Sequence, residues 1–225
     1  MKVPGRFPMS IMVGMVATTW FVVAVAFFGA PASMAFFKPM SIVAGVLTAA
    51  LAGWDRWLWR IPRLSLVHGV PDLNGTWKGQ LASLWTDPET GETPPPTPVV
   101  VVVRQTYTSV TVTTFTEEST SVSMAAGLTT EPDGRHVLAS MYRNEPKLTA
   151  QERSRPHHGG VRLSLAGDED KLEGHYWTDR GTSGEMKLVR AGRKHVLDYV
   201  TGAAVEAGEP PKQIEGPEPD TSGGA

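Results

Sequence analysis

Residues 9–30 form an unbroken run of 22 residues without a charged side chain, and this run limits the possible folds more than any other feature. As an α-helix it would be about 33 Å long, which matches the ~30 Å hydrocarbon core of a bilayer. A second apolar run begins at Pro39 and ends in Trp54, Trp57 and Trp59, side chains typical of a membrane interface. The sequence therefore predicts a transmembrane hairpin over residues 1–60, with helices at about 9–30 and 39–59.

A cleaved signal peptide is the alternative interpretation of the first run. Lys2 and Arg6 precede the run, and Ala30-Pro31-Ala32 resembles a small-residue cleavage site. However, the run is longer than the ~7–15 apolar residues of a signal-peptide core, and a second apolar run follows it. A hairpin of two helices accounts for both runs.

Basic residues predict the orientation of this hairpin. Two of them precede the first helix and three follow the second, whereas Lys38 alone lies between the helices. The positive-inside rule then predicts a multi-pass protein of the cell inner membrane, with both termini in the cytoplasm. Gly45, Ala49 and Gly53 recur every four residues and predict a helix face that another helix can approach closely. Because small residues are common in membrane helices, this spacing is also compatible with no helix partner.

After a connector at residues 61–70, the apolar pattern changes to alternation with a period of two, which is typical of β-strands. Turns rich in Gly, Pro and Asp separate the strands and are mostly short, so neighbouring strands are expected to be antiparallel. Eight strands are predicted, at residues 75–85, 99–105, 109–117, 119–128, 136–144, 160–166, 171–177 and 182–189.

Eight antiparallel strands in one small domain either stack as a sandwich or close on themselves. Closure removes exposed edges and leaves a lumen for one small ligand. The predicted fold class is therefore a membrane-anchored all-β protein, with a cytosolic lipocalin-like eight-stranded antiparallel β-barrel at residues 71–200. Gly75-Thr76-Trp77 opens the first strand, and Trp77 is predicted to close the barrel floor. Residues 201–225 are rich in Gly, Pro and Glu and are predicted to form a disordered tail.

Several kinds of chemistry lack support in this sequence. There is no cysteine for a disulfide, a thiolate metal site or a nucleophile, and no phosphate-binding loop or nucleophile elbow. His157-His158 is expected in a solvated loop. We therefore expect no metal site, no cofactor and no enzymatic activity. Residues 71–190 contain 12 Lys and Arg against 16 Asp and Glu, a net charge of −4, which disfavours long nucleic acid as a partner.

Two clusters suggest a small anionic ligand: Tyr142-Arg143-Asn144, and residues 176–182. Guanidinium groups donate to phosphate oxygens, and aromatic rings offer faces on which a base stacks. Alternatively, each arginine covers Trp77 or pairs with a surface carboxylate. Gln105-Thr106-Tyr107 and Ser119-Thr120-Ser121 add polar groups at strand ends, where ordinary turn hydrogen bonds are the simpler explanation.

The order of several motifs resembles a known family. They are Pro-Asp-Leu-Asn-Gly-Thr-Trp-Lys-Gly at residues 71–79, Arg-Gln-Thr at 104–106, Tyr-Arg-Asn at 142–144, and Gly-His-Tyr-Trp-Thr-Asp-Arg-Gly-Thr-Ser-Gly at 174–184. Together with the two apolar helices, they resemble the two-transmembrane, β-strand-rich effectors of CBASS anti-phage defence. The resemblance covers roughly residues 9–190.

This resemblance implies that the barrel binds a cyclic oligonucleotide, such as a cyclic dinucleotide, made by a cGAS-like nucleotidyltransferase. It also implies that binding drives the chain to form a homo-oligomer that disrupts the inner membrane and causes cell death. The positions matched to ligand binding are Tyr142, Asn144, Tyr176, Thr178, Arg180 and Thr182.

Two hypotheses of other classes stay open at this point. A membrane-tethered lipocalin-like carrier or sensor of a lipid or other apolar ligand predicts an apolar lumen, whereas a purely structural anchor predicts no small ligand. The orientation of Arg180 and Tyr142 toward or away from the lumen distinguishes a polar site from an apolar one.

Overall fold

The structure is a computed structural model of the chain, and it describes residues 13–14, 16–18, 21–22, 25, 34–62, 64, 68–166 and 170–205. Most of the predicted helix at 9–30 and the part of the predicted tail from residue 206 lie outside the described residues. The described residues divide into two compact units. The first consists of residues up to Asp72 together with Thr106–Ser109, and the second of Leu73–Gln105 with the residues from Val110 onward.

The first unit contains helix α1 (Met34–Arg56), followed by a 3-10 turn at Leu58–Arg60. The helix begins earlier and ends earlier than the predicted helix at 39–59. Its last hydrogen bond joins Trp57 N to Gly53 O at 3.0 Å, and Arg60 N then bonds to Trp57 O at 3.2 Å in the 3-10 turn. In the described part of the chain, no helix combines the length and the apolar character needed to cross a bilayer.

An aromatic cluster follows α1 within the same unit. Trp59 is fully buried, and its ring centroid lies 6.1 Å from that of His68 and 6.2 Å from that of Tyr107. Trp54 also contacts Tyr107, with 5.8 Å between the ring centroids. The expectation that all three tryptophans face a membrane interface is therefore wrong for Trp59, whose ring is enclosed by other aromatic rings. Trp57 is the exposed one of the three.

The three small residues of α1 share one side of the helix, as their spacing requires. Gly45 and Ala49 are exposed, and Gly53 is half-buried. A Cβ atom at Gly45 would meet no atom within 4 Å, so this part of the helix surface is open in the described structure.

The second unit is a closed barrel of eight strands in sequential order, with every neighbouring pair antiparallel. The prediction of an eight-stranded antiparallel barrel is therefore confirmed, and the alternative of a sandwich is excluded. The strands are β1 (Gly75–Ser83), β2 (Thr97–Gln105), β3 (Val110–Phe115), β4 (Ser119–Thr130), β5 (His136–Pro146), β6 (His157–Leu165), β7 (Lys171–Thr178) and β8 (Ser183–Gly192).

The pairing of β1 with β8 closes the barrel. Gly79 lies opposite Leu188 and Leu81 lies opposite Met186, and a bulge between Thr76 and Trp77 shifts the register near the start of β1. Closure leaves no unpaired strand edge, so all eight strands present one face to the lumen. Inward and outward residues alternate along each strand because the side-chain period of a strand is two.

Two strand boundaries differ from the prediction in ways that matter for the lumen. β1 ends at Ser83 instead of residue 85, because Trp85 N bonds to the Ser83 side chain and leaves the ladder. β6 begins at His157 instead of residue 160, because His157 pairs with Asn144 across β5 and β6. The placement of His157-His158 in a loop was therefore wrong.

A short helix, α2 (Tyr199–Ala204), packs on the outer surface of the barrel. Asp198 caps it by accepting a hydrogen bond from Thr201 N at 2.7 Å. Gly202 is buried, and a Cβ atom there would lie 2.5 Å from Val100 Cγ1. Lys78 Nζ donates to the carbonyl oxygens of Ala203 and Val205, each at 2.7 Å. The predicted disordered tail from residue 201 is thus wrong for residues 201–204, which this packing holds in a helix.

Candidate functional site

Apolar side chains close one end of the barrel. Trp77, Leu138, Leu163, Leu172 and Leu188 are almost completely buried there. Such a filled end means that a ligand can enter the lumen from the other end alone.

The buried indole of Trp77 is held by two contacts. Its Nε1 donates to Leu73 O at 3.0 Å, and the guanidinium of Arg190 lies 4.2 Å from the ring centroid. Arg190 also donates from Nε to Asp170 Oδ1 at 2.7 Å. The arginine that covers Trp77 is therefore Arg190. This leaves Arg143 and Arg180, the two arginines of the predicted clusters, without that structural role.

The open end of the barrel contains a cavity of about 320 Å³. It lies where β1 ends and β2 begins, and every strand contributes to its wall. A volume of this size falls in the range of small-ligand sites, about 300–1,000 Å³. The lining residues are Leu81, Ser83, Trp85, Thr97, Val112, Thr114, Thr116, Ser119, Ser121, Ser140, Tyr142, Asn144, Ser154, His157, Val161, Tyr176, Thr178, Arg180, Thr182 and Met186.

The cavity wall combines apolar side chains with many hydroxyl groups, and its charge differs from that of the barrel as a whole. Among the described residues that line it there are ten Ser and Thr hydroxyls, two phenols, one guanidinium and one imidazole, but no carboxylate. The barrel as a whole carries a net negative charge. None of its acidic residues, however, is among the described residues that line the cavity. Hydroxyl, amide and guanidinium donors without a competing carboxylate favour an anionic guest.

All six residues predicted for ligand binding line this one cavity. Tyr142 and Asn144 come from β5, and Tyr176 and Thr178 come from β7. Arg180 and Thr182 lie in the turn between β7 and β8. Because β6 pairs with both β5 and β7, the antiparallel register brings these side chains to the same end of the barrel.

Two inward-facing glycines make room for the two tyrosines. A Cβ atom at Gly159 would lie 2.5 Å from the Tyr142 hydroxyl, and one at Gly184 would lie 2.6 Å from Tyr176 Cε1. The phenols are consequently held deep in the wall. Burial raises the pKa of Tyr142 to about 12, helped by the nearby Tyr176, and burial also raises the pKa of Tyr176. Both phenols are neutral near pH 7 and can donate a hydrogen bond.

The raised pKa of Tyr142 predicts a loss of stability in alkaline solution. Because the folded-state pKa of about 12 exceeds the ordinary tyrosine pKa of 10.0, this contribution to stability is complete below pH 10 and declines as the pH rises toward 12. Thermal unfolding measured from neutral pH upward should therefore show a smaller alkaline decrease for Tyr142→Phe than for the unchanged chain. Identical alkaline profiles for the two proteins would contradict the burial of this phenol.

Near the mouth, hydrogen bonds orient the side chain of Asn144. Its Oδ1 accepts from Ser121 Oγ at 2.8 Å, and its Nδ2 lies 3.5 Å from His157 Nδ1. His157 Nδ1 in turn lies 3.0 Å from Arg155 O, which it reaches as a donor. With Oδ1 engaged and no acceptor on His157 Nδ1, the amide group of Asn144 offers its N–H donors to the cavity.

The turn between β7 and β8 positions Arg180 at the mouth. Thr178 Oγ1 and Thr182 Oγ1 are 2.7 Å apart and tie the two ends of the turn together. Arg180 Nη1 donates to Ser154 Oγ at 3.3 Å. The neighbouring Asp179 carboxylate accepts from His158 N at 3.0 Å, a bond that lowers the pKa of Asp179, and it is not part of the cavity wall.

The remaining residues of the predicted clusters lie elsewhere. Arg143 faces outward and pairs with Glu145. Gln105 is buried, where its Oε1 accepts from Leu73 N at 2.8 Å. Tyr107 belongs to the aromatic cluster of the first unit. Of the serine and threonine cluster on β4, Ser119 and Ser121 line the cavity, so ordinary turn bonding does not fully describe them.

Sequence reasoning missed Ser140, His157 and Trp85 as lining residues. Ser140 was detectable in principle, because it lies two residues before Tyr142 on the same strand and so shares its face. His157 was not, because its position depends on pairing with Asn144. Trp85 lies beyond the end of β1, where strand alternation no longer predicts a direction.

Two comparisons with known proteins agree with this geometry. The family described as Cap15, cyclic dinucleotide receptor domain, matches residues 68–190. CD-NTase-associated protein 15 of Staphylococcus schleiferi is 23% identical over 149 residues, which are 66% of this chain and 77% of that protein. The family match spans more than half of the chain and contains every strand except the last residues of β8. This protein therefore belongs to the Cap15 family of CBASS effectors, the class that the order of its sequence motifs resembles.

Proposed function

We propose that the barrel is a receptor for a cyclic oligonucleotide, most simply a cyclic dinucleotide, and that the ligand occupies the 320 Å³ cavity. The observation that carries this proposal is the convergence of all six predicted binding residues on one cavity whose described wall has donors but no carboxylate. Membership of a family of cyclic dinucleotide receptor domains supports the same ligand class.

The residues at the mouth suit the two phosphates of such a ligand. Arg180 supplies a forked pair of donors and a positive charge, which phosphate oxygens favour. Asn144 and the hydroxyls of Thr178 and Thr182 add uncharged donors. Tyr142, Tyr176 and Trp85 add aromatic faces, on which nucleobases stack at about 1–3 kcal/mol per base.

A carrier of a lipid or other apolar ligand fits this lumen poorly. Such a carrier needs an apolar wall, because burying unpaired hydroxyl and charged groups against hydrocarbon costs free energy. In this barrel Arg180 and Tyr142 both line the cavity, together with ten aliphatic hydroxyls. A polar, anionic ligand can hydrogen-bond to these groups, whereas a fatty acid chain cannot and would leave Ser140 Oγ without a partner.

The proposed effector function adds a membrane anchor to this receptor. The uncharged run at residues 9–30 and the second apolar run that begins at Pro39 support a hairpin in the cell inner membrane. The distribution of basic residues supports cytoplasmic termini and a cytoplasmic barrel. Such a placement would give the receptor access to a nucleotide made inside the infected cell.

Ligand binding would then favour a homo-oligomer whose packed helices disrupt the membrane and cause cell death. A ligand shifts an equilibrium only by as much as its affinities for the two states differ, so the oligomer must bind the nucleotide more tightly. The exposed Gly45 and Ala49 offer a helix surface that a second copy of α1 can approach closely.

The full-length chain in vesicles filled with a self-quenched dye tests both parts of the proposal. We expect saturable binding of one or more cyclic dinucleotides from a panel, weaker binding of linear dinucleotides with the same bases, and dye release that requires the bound ligand. Gly45→Leu should keep the binding and reduce the release, whereas Ala50→Leu, on another side of α1, should keep both the binding and the release. Binding of fatty acids in place of nucleotides would reject the receptor, and ligand binding without release would reject the effector mechanism.

A further inference from the structure

One hydroxyl in the cavity lacks a protein partner. The inward-facing residues of β5 run from the closed end to the mouth in the order Leu138, Ser140, Tyr142, Asn144. Ser140 is the deepest polar residue of this row and is only 5% exposed. Its Oγ has no hydrogen-bond partner among the described residues.

The surroundings of Ser140 are mostly apolar. It lies opposite Val161 on β6, which in turn lies opposite Tyr176 on β7. Val112 and Met186 also line the cavity. A buried hydroxyl without a partner costs free energy, and a hydrogen bond to a bound ligand would offset that cost.

Polarity is therefore divided along the axis of the cavity. The guanidinium of Arg180, the amide of Asn144 and the imidazole of His157 lie at the mouth, whereas Ser140, Val161 and Tyr176 lie nearer the closed end. A phosphate cannot leave water for the apolar bottom without a large desolvation cost. A planar nucleobase can, because its faces are apolar and its edge carries a few polar atoms.

We infer that the ligand binds with one base inserted to the bottom of the cavity, where the polar edge of that base hydrogen-bonds to Ser140. The phosphates then stay at the mouth, beside Arg180 and Asn144. This inference rests on the proposed function and deepens it, since it makes Ser140 a residue that determines base specificity. A hydroxyl can both donate and accept a hydrogen bond. The favoured base is therefore the one whose inserted edge places a donor or acceptor within hydrogen-bond distance of Ser140 Oγ.

Ser140→Ala in the full-length chain tests the inference. The affinity for the best-bound member of a panel of cyclic di-AMP, cyclic di-GMP, cyclic di-UMP and their mixed forms should fall about five- to tenfold, the effect of one neutral hydrogen bond in a buried site. The ratio of affinities between the best and the worst member should narrow. Ser140→Val, which fills the bottom, should weaken binding further. Ser164→Ala, a serine on the outer face of β6, should match the unchanged chain.

Stability of the ligand-free protein supplies a second measurement. Because the Ser140 hydroxyl has no partner in the protein, Ser140→Ala should leave the melting temperature unchanged or raise it. A lower melting temperature would show a structural hydroxyl and overturn the inference.

The outcomes separate this inference from the proposed function. If the unchanged chain binds a cyclic dinucleotide while Ser140→Ala binds it with the same affinity and the same base preference, base insertion is wrong and the receptor function stands. If the unchanged chain binds no member of the panel, the receptor function is wrong and the inference falls with it.

Discussion

Replacing Arg180 by alanine is expected to lower the affinity of the barrel for the proposed cyclic dinucleotide about 10- to 100-fold, because a hydrogen bond to a charged group contributes roughly 1.5–3 kcal/mol. Arg180 is the one arginine among the described residues that line the cavity, so no other arginine in this wall can take its place. Because Arg180 is exposed at the mouth, dissolved salt screens its charge. The loss of affinity should therefore lie at the lower end of this range in high salt. Isothermal titration at two salt concentrations measures both effects.

Two further variants test whether the effect depends on the shape of the guanidinium and on its place in the cavity. Arg180→Lys keeps the positive charge but loses the planar fork, so its affinity should lie between those of Arg180→Ala and the unchanged chain. Arg143→Ala removes an arginine that faces outward and pairs with Glu145, and it should bind as the unchanged chain does. Equal affinities for Arg180→Ala and Arg143→Ala would remove Arg180 from the site and would weaken the case for phosphate recognition at the mouth.

The largest effect on stability is expected for Trp77→Ala, which should lower the free energy of unfolding by about 3–5 kcal/mol. Trp77 is completely buried, so its removal leaves a cavity at the closed end of the barrel. It also deprives Leu73 O of its donor and Arg190 of the ring beneath its guanidinium. Urea unfolding followed by circular dichroism measures the change.

The matched control is Trp177→Ala. Trp177 lies on the outer face of β7 and is 47% exposed, so its removal should cost much less than that of Trp77. Trp77→Phe should lie between the two, because phenylalanine fills most of the volume but cannot donate to Leu73 O. Similar losses for Trp77→Ala and Trp177→Ala would show that the closed end does not depend on this indole.

Strand alternation was sufficient to predict much of the site. Because alternate residues share a face, Tyr142 with Asn144 and Tyr176 with Thr178 had to point the same way within each strand. Short turns of Gly, Pro and Asp predicted antiparallel neighbours, and eight such strands predicted a closed barrel. These inferences depend on local geometry, which the order of residues determines directly.

Alternation along a strand does not predict how deep a side chain lies in the barrel or which residue of another strand it contacts. Asn144 meets His157 because of the register between β5 and β6, and the two residues are separated by an irregular connection. Arg190 covers Trp77 because β8 pairs with β1 across a bulge. Residues 201–204 form a helix despite their weak local preference, because Gly202 packs on Val100.

The amino-acid sequence by itself determined the strands, their antiparallel order and the faces that their side chains share, since these follow from periodicity and turn chemistry within short segments. Only the tertiary structure decided which polar groups meet in one cavity, how deep each one lies and which of them find partners. The physical reason is that register and closure are set by the packing of all eight strands at once. Ser140 illustrates the difference: its face follows from its place in the sequence, whereas its burial without a partner follows from the assembled barrel.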